Sequence, residues 1–223
     1  MDYALHETMV VAANSPGTAL QGWAARWKNL HDYMVAEGHV FEVVSLICAR
    51  WEFLGALYRG QTDKSGWPEA VAFTDAFCPA SYMDLQDWTG QGGGSDLFTQ
   101  LRNKPLHGMV PAASVVAPVD PPKLVLRWEI GASVGVADHM TVSTFGFLRV
   151  NPGQFCHEFD AAVAGFAKLL TTNNTSMNDP LGVSRLPVAR FQRAFFGRFC
   201  PRGLKCARWV TDGEKSPLNP IPK

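Results

Sequence analysis

One short segment of the chain places a guanidinium, an amide and an imidazole close together. It runs from Arg102 to His107 and reads RNKPLH. An imidazole accepts and returns a proton near neutral pH, whereas a guanidinium stays charged and donates paired hydrogen bonds to an anion. Asn103 and His107 are four residues apart and share a face if the helix continues, so Asn103 can fix the imidazole tautomer. The segment therefore has the residue types for proton transfer beside a negatively charged group.

The spacing of Arg102 and His107 does not bring them together on a straight helix. Five residues correspond to about 140° around the axis and about 7.5 Å along it. Either the break at Pro105 re-aims His107, or a symmetric dimer brings two copies of the segment to one cleft. A second Arg–His pair occurs at Arg26 and His31. There the residue directly after the arginine is the apolar Trp27, whereas Arg102 is followed by the polar Asn103.

The Arg-Asn-x3-His segment, preceded by paired helices and a loop, resembles the HEPN family (higher eukaryotes and prokaryotes nucleotide-binding). The order of helices and loops resembles that of the family over residues 20–170. The motif itself matches only over the short segment around Arg102 to His107. Active members of that family are metal-independent ribonucleases. The resemblance implies an endoribonuclease without a cofactor, a homodimer with its site at the two-fold interface, and a toxin–antitoxin or phage-defence setting with an antitoxin or defence-system partner.

Under this resemblance each residue of the segment has a role in RNA cleavage. His107 is the general acid or base, Arg102 stabilises charge on the phosphorane oxygens, and Asn103 orients the imidazole. Lys104 contacts a neighbouring phosphate. DNA is spared because it lacks the attacking 2′-hydroxyl.

Two other interpretations stay open at this point. Arg102 and His107 also suit a structural role, because donors near a helix C-terminus cap its last carbonyls and interact favourably with its dipole. Alternatively, the chain is a non-catalytic HEPN-like scaffold that binds RNA or protein.

The C-terminal part of the chain is strongly basic. Residues 181–210 contain seven Arg or Lys and no acid, whereas residues 1–100 hold five basic and twelve acidic side chains. Arg190, Arg193 and Arg198 are interleaved with phenylalanines, a combination that suits single-stranded RNA. The alternatives are that the phenylalanines are core and the arginines a solvated face, or that this surface docks on the acidic half of the chain.

Hydrophobic spacing predicts a mainly helical α+β protein. Apolar stripes indicate helices over about 20–37 and 40–58, a third begins near Pro68, and Asn151 and Pro152 start a long one. Another helix spans part of 188–199. Alternating residues at 124–130 predict a strand paired antiparallel with 139–150, so that a small β-hairpin or sheet precedes the last long helix.

The length and composition predict one domain without a membrane span. We expect a HEPN-like domain over residues 1–210, with the β insertion at about 113–150, and a flexible tail at 211–223. No glycine-rich phosphate loop, CxxC pair or HExxH motif occurs, so no metal site is predicted. Five widely spread cysteines and an acidic N-terminus without a signal pattern predict reduced thiols and a cytoplasmic location.

Overall fold

A computed structural model describes residues 11–12, 14–62, 66–82, 127–143, 147–172 and 186–199. This part of the chain is mostly helical, as the hydrophobic spacing predicts. Its helices and strands, in chain order, are α1 (Pro16–Ala36), α2 (Val40–Arg59), α3 (Trp67–Phe77), β1 (Arg127–Ile130), β2 (Thr141–Val142), β3 (Phe147–Val150), α4 (Pro152–Thr172) and α5 (Pro187–Phe199).

The ends of the helices follow local sequence signals. Asn151 caps α4, because its Oδ1 accepts a hydrogen bond from the backbone N–H of Gln154 at 2.9 Å, and Pro152 occupies the first helical position. Helix α2 ends at Gly60, whose φ of 74° lies in the left-handed region that glycine adopts without strain. The start of α4 lies where Asn151 and Pro152 predict it, and α2 ends at Arg59, one residue beyond the predicted boundary.

Helix α1 runs antiparallel to both α2 and α4. Trp23 meets Phe53 with ring centroids 6.1 Å apart, and one turn further along α1 the guanidinium of Arg50 lies 4.9 Å from the Trp27 ring. On the side of α4, Gly17 lies beside Thr171, whereas Trp27 meets Phe159 at 6.0 Å. The short turn between α1 and α2 explains the first pairing.

The core between these helices is rich in aromatic side chains. Trp51 lies edge-on to Phe155, with centroids 4.9 Å apart, and Tyr58 lies edge-on to Phe166 at 5.9 Å. Edge-to-face contacts of this kind align the positive ring edge with the negative face. The largest fully buried side chains are Trp51, Tyr82, Phe73, Phe155, Phe159, Phe166, Phe191, Leu20, Ile47, Leu54 and Leu57.

Helices α2 and α3 approach each other so closely that a glycine is required at the contact. A Cβ atom at Gly55 would overlap the backbone carbonyl of Glu69. Backbone cannot move aside as a flexible side chain does, so Gly55 sets the separation of the two helices. Beside this contact, Arg59 pairs with Glu69 at 3.6 Å.

The strands form a three-stranded sheet in the order β1-β3-β2, and here the antiparallel hairpin predicted from sequence is wrong. β1 and β3 are parallel, with Arg127 opposite Phe147 and Ile130 opposite Val150. Residues 139–150 do not form one strand: β2 runs antiparallel along the other edge of β3 before the chain returns in β3. Alternation identifies half-buried strands but carries no information on their direction.

None of the helices in the described ranges combines the length and the apolar character needed to cross a bilayer.

Candidate functional site

The predicted catalytic segment lies outside the described residues. This applies to Arg102, Asn103 and His107, and to Lys104, the predicted phosphate contact. Their proposed roles stay predictions.

The three predicted RNA-binding arginines occupy different environments on α5. Arg193 is exposed. Arg190 is only 6% exposed, with its guanidinium 5.1 Å from the centroid of the Tyr58 ring. Arg198 is half-buried and donates from Nε to the carbonyl of Gln61 at 3.3 Å. Arg193 is therefore the member of this set that faces solvent freely.

Three of the phenylalanines of α5 pack inward, namely Phe191, Phe195 and Phe196. Phe191 and Phe195 are buried, and both stack on Trp23, with centroids at 6.1 Å and 5.5 Å. They belong to the core, and this contact favours the structural interpretation of those rings.

A cavity of about 290 Å³ lies between α1 and α4, near the C-terminus of α1 and the N-terminus of α4. The two helices run antiparallel, so the end of one faces the start of the other. Its lining residues are Lys28, Asp32, Val35, Ala36, Gly153, Cys156, His157 and Asp160.

One oxygen of the Asp160 carboxylate lacks a hydrogen-bond partner in the described part of the chain. This oxygen, Oδ1, is buried. Lys28, which faces it, instead contacts Asp32 one turn further along α1, with Nζ and Oδ2 2.6 Å apart. Burial raises the pKa of Asp160 above its usual value, although nearby Lys28 opposes the shift.

A buried Arg–His contact lies beside the pocket. Arg50 on α2 donates from Nη1 to Nε2 of His31, which is fully buried, so the proton of the neutral imidazole is on Nδ1. That Nδ1 has no hydrogen-bond partner in the described ranges. Burial and the charge of Arg50 lower the pKa of His31 to about 4. His31 is therefore uncharged at neutral pH.

Cys156 lines the pocket but is not an activated nucleophile. Burial, and then the charge of Asp160, raise its pKa to about 12. A thiol with so high a pKa is almost wholly protonated near neutrality, whereas the thiolate is the reactive form. The adjacent His157 is exposed and lines the pocket rim.

A second polar cluster, which we call the Glu158 network, joins α4 to the sheet region and to Tyr82. Glu158 Oε2 accepts from the Tyr82 hydroxyl at 2.6 Å and from His139 Nε2 at 3.2 Å, and Oε1 accepts from Gln154 at 2.8 Å. The backbone N–H of Asn151 donates to His139 Nδ1 at 3.0 Å, which places the imidazole proton on Nε2.

Hydrogen bonding determines the charge state of the Glu158 network. Burial raises the pKa of Glu158, but the hydrogen bonds from His139, Tyr82 and Gln154 outweigh it, and the net pKa is lowered. Burial and the charge of Glu158 raise the pKa of Tyr82 well above its ordinary value. The network therefore consists of a carboxylate held by neutral donors, an arrangement that stabilises structure.

Sequence reasoning identifies neither cluster. Tyr82, His139 and Glu158 are separated by 57 and 19 positions along the chain, and no spacing rule links residues across such distances. Lys28 and Asp32, at i and i+4 on α1, are the only local signal of the pocket. No group of His, Cys, Asp and Glu able to hold a metal ion occurs among the residues that the structure describes.

Comparisons with protein-family models, with curated proteins and with solved structures find no match to this chain. The resemblance to the HEPN family therefore rests on the segment from Arg102 to His107 and on the helical layout.

Proposed function

We propose that the protein is a metal-independent endoribonuclease of the HEPN type. The observation that carries the proposal is the Arg-Asn-x3-His segment at 102–107, in a chain whose described part is mainly helical. The basic surplus of residues 181–210 supports RNA as the substrate, because it provides a sequence-independent attraction for phosphates.

The proposed reaction is an internal transfer at phosphorus. His107 removes the proton of a ribose 2′-hydroxyl, whose oxygen attacks the adjacent phosphate. The 5′-oxygen leaves and takes up a proton, giving a 2′,3′-cyclic phosphate and a free 5′-hydroxyl. Arg102 stabilises the negative charge on the phosphorane oxygens, and Asn103 holds the imidazole in the reactive tautomer.

The exposed cation of α5 has a separate role in this proposal. Arg193 contacts the backbone of the RNA outside the cleavage site, with Lys104 nearer to it. Arg198, which already donates to the Gln61 carbonyl, has a weaker part, and Arg190 supports the aromatic core through Tyr58. A homodimer brings the two catalytic segments together.

The second candidate is an RNA- or protein-binding scaffold without catalysis. It is favoured by the same basic surplus, which requires no catalytic group to be useful.

The test is incubation of the purified full chain with end-labelled single-stranded RNA in EDTA. We expect cleavage by the wild type, and a loss of at least a hundredfold in rate for His107→Ala and for Arg102→Ala, because proton transfer and charge stabilisation each contribute about 10²-fold or more. His39→Ala is the matched control, since His39 is an exposed histidine at the start of α2.

The outcomes separate the two candidates. Wild-type cleavage that survives in both variants contradicts the assignment of residues. RNA binding without cleavage in the wild type and in His107→Ala supports the scaffold, and Arg193→Ala then weakens that binding.

A further inference from the structure

We propose that the outward face of α1 is a dimer interface, which pairs with the same face of a second copy of this chain so that the two helices run antiparallel. The inference rests on the proposed function, which requires a homodimer but does not assign its surface. The observations that carry it are an exposed apolar pair, two exposed charges of opposite sign, and a glycine that the protomer itself does not require.

Four residues form one line along α1, which we call the α1 stripe: Arg26, Leu30, Tyr33 and Glu37, the last directly after the end of the helix. Their spacings of four, three and four residues place them within about 60° around the helix axis. All four are exposed, and the apolar side chains of Leu30 and Tyr33 are 43% and 61% accessible. Adjacent exposed apolar groups with polar neighbours are typical of a protein contact.

The charges at the two ends of the α1 stripe indicate what that partner is. Arg26 and Glu37 lie about 16.5 Å apart along the axis, which is too far for them to pair with each other. Neither side chain has an ion-pair partner among the described residues. In an antiparallel second copy the order of the charges is reversed, so Arg26 of each copy meets Glu37 of the other.

The apolar pair fits the same arrangement. Leu30 and Tyr33 lie at equal distances on either side of the midpoint of the stripe, as Arg26 and Glu37 do at its ends. One antiparallel register therefore matches Leu30 with Tyr33 in the centre and the two charges at both ends. Since a two-fold interface contains each contact twice, four apolar side chains lie between two ion pairs.

A glycine on the same face supports the close approach of a second helix. Gly22 lies one turn before Arg26 in the interior of α1, where glycine destabilises a helix relative to alanine. A Cβ atom at Gly22 would meet nothing within 4 Å in the described chain, so packing within the protomer does not require it. The missing side chain leaves room for a neighbouring helix beside α1.

RNA is the alternative occupant of this face, because an exposed tyrosine beside an arginine suits a stacked base and its phosphate. Glu37 at the end of the stripe repels phosphate. In the dimer the same carboxylate is the partner of Arg26, so the charges favour a second copy of the chain.

The test measures self-association of the full chain by sedimentation in an analytical ultracentrifuge. One helix from each copy buries less than the ~1,200 Å² of a standard interface, so we expect a reversible dimer with a dissociation constant of about 10 µM. Concentrations from well below to well above this value are compared. In Tyr33→Ser the central apolar contact is lost twice, and we expect association to weaken about tenfold or more.

A reciprocal exchange of charges tests the antiparallel register. Arg26→Glu alone and Glu37→Arg alone each place like charges opposite each other at both ends, and each is expected to weaken the dimer about tenfold or more. The double variant, Arg26→Glu with Glu37→Arg, restores opposite charges. Its dissociation constant should return to within about threefold of the wild-type value.

Two substitutions outside α1 are the matched controls. Val136→Ser removes an exposed apolar side chain, and Lys168→Glu reverses an exposed charge on α4. Both are expected to associate like the wild type. Circular dichroism checks that every variant keeps the helical content of the wild type, as substitutions at exposed positions should.

A wild type that stays monomeric over the whole concentration range overturns the inference, and weaker RNA binding by Tyr33→Ser in that monomer would identify the face as an RNA surface. Association that is unchanged in Tyr33→Ser and in both single charge variants overturns it as well. Failure of the double variant to restore association overturns the antiparallel register. RNA cleavage by a monomer contradicts this inference alone, whereas a dimer through α1 that does not cleave RNA contradicts only the cleavage proposal.

Discussion

Two carboxylates of α4, two residues apart, have opposite environments. Glu158 accepts hydrogen bonds from Tyr82, His139 and Gln154, whereas Asp160 Oδ1 accepts none from the described chain. Both side chains are half-buried on the same helix. Gln154 lies on α4 itself, and the rest of the difference comes from the elements that face the two carboxylates. The sheet region and Tyr82 supply hydrogen-bond donors to Glu158. Helix α1 instead places Lys28 near Asp160, but Lys28 pairs with Asp32 of the same helix.

The pKa values of the two carboxylates shift in opposite directions, in line with their hydrogen bonding. Burial acts on both to raise the pKa, yet the pKa of Glu158 is lowered and that of Asp160 is raised. Glu158 accepts three side-chain hydrogen bonds that lower its pKa, whereas Oδ1 of Asp160 accepts none from the described chain. A saturated network holds two parts of a fold together, whereas an unsatisfied buried acceptor costs free energy in the folded state.

Removing the shared acceptor of the Glu158 network should have the largest effect. In Glu158→Ala the buried Tyr82 hydroxyl and His139 N–H both lose their carboxylate partner, and we expect the free energy of unfolding to fall by about 3–5 kcal/mol. Urea unfolding monitored by circular dichroism measures this loss.

The control for that experiment is Glu42→Gln, since the Glu42 side chain is 61% exposed and lies 4.0 Å from His39 Nδ1, at the limit of an ion pair. A loss below about 1 kcal/mol in Glu158→Ala would show that the network contributes little to stability.

The helical part of this fold could be predicted from sequence because its signals are local. Asn151 and Pro152 start α4, and the stripe at Phe155, Phe159 and Phe166 lies in the core. Such signals depend on residues within one or two turns, where helix periodicity and capping act directly.

The sheet and the polar clusters could not be predicted because they depend on long-range pairing. Arg127 lies opposite Phe147 because β1 and β3 are parallel, and the alternation of apolar residues does not encode the relative direction of two strands. His139 stands alone in the sequence, and its partners, Tyr82 and Glu158, become neighbours only through packing. The exposure of Arg193 and burial of Arg190 likewise depend on how α5 packs on Tyr58.

The pocket side of the comparison gives a pH-dependent prediction through His31. Its pKa of about 4 in the folded protein is below the ordinary 6.5, so between these values the unfolded chain binds more protons than the folded one. The contribution of His31 to the free energy of unfolding is therefore fully present above about pH 6.5 and is lost on acidification toward pH 4. By linkage the loss between pH 7 and pH 5 is about 2 kcal/mol.

The groups that face His31 are Arg50 from α2, Lys28 and Asp32 from α1, and the ring of Phe159 from α4. His31→Gln keeps an acceptor for Arg50 but does not titrate, so its loss of stability from pH 7 to pH 5 should be smaller by that amount. His39→Gln, at an exposed imidazole, is the control. Equal pH dependence of stability in His31→Gln and in the wild type would contradict the lowered pKa of His31.

The smallest expected effect is that of Asp160→Asn on the free energy of unfolding. It tests the contrast between Asp160 and Glu158 most directly, because its sign is opposite to that expected for the loss of the Glu158 carboxylate. In Asp160→Asn a half-buried carboxylate with an unsatisfied oxygen becomes neutral, and we expect the free energy of unfolding at pH 7 to stay unchanged or to rise by up to about 1 kcal/mol. Urea unfolding of Asp160→Asn beside Glu158→Gln measures the two signs in matched substitutions. A clear loss of stability in Asp160→Asn would mean that Asp160 is satisfied within the folded chain, and the contrast between the two carboxylates would then not hold.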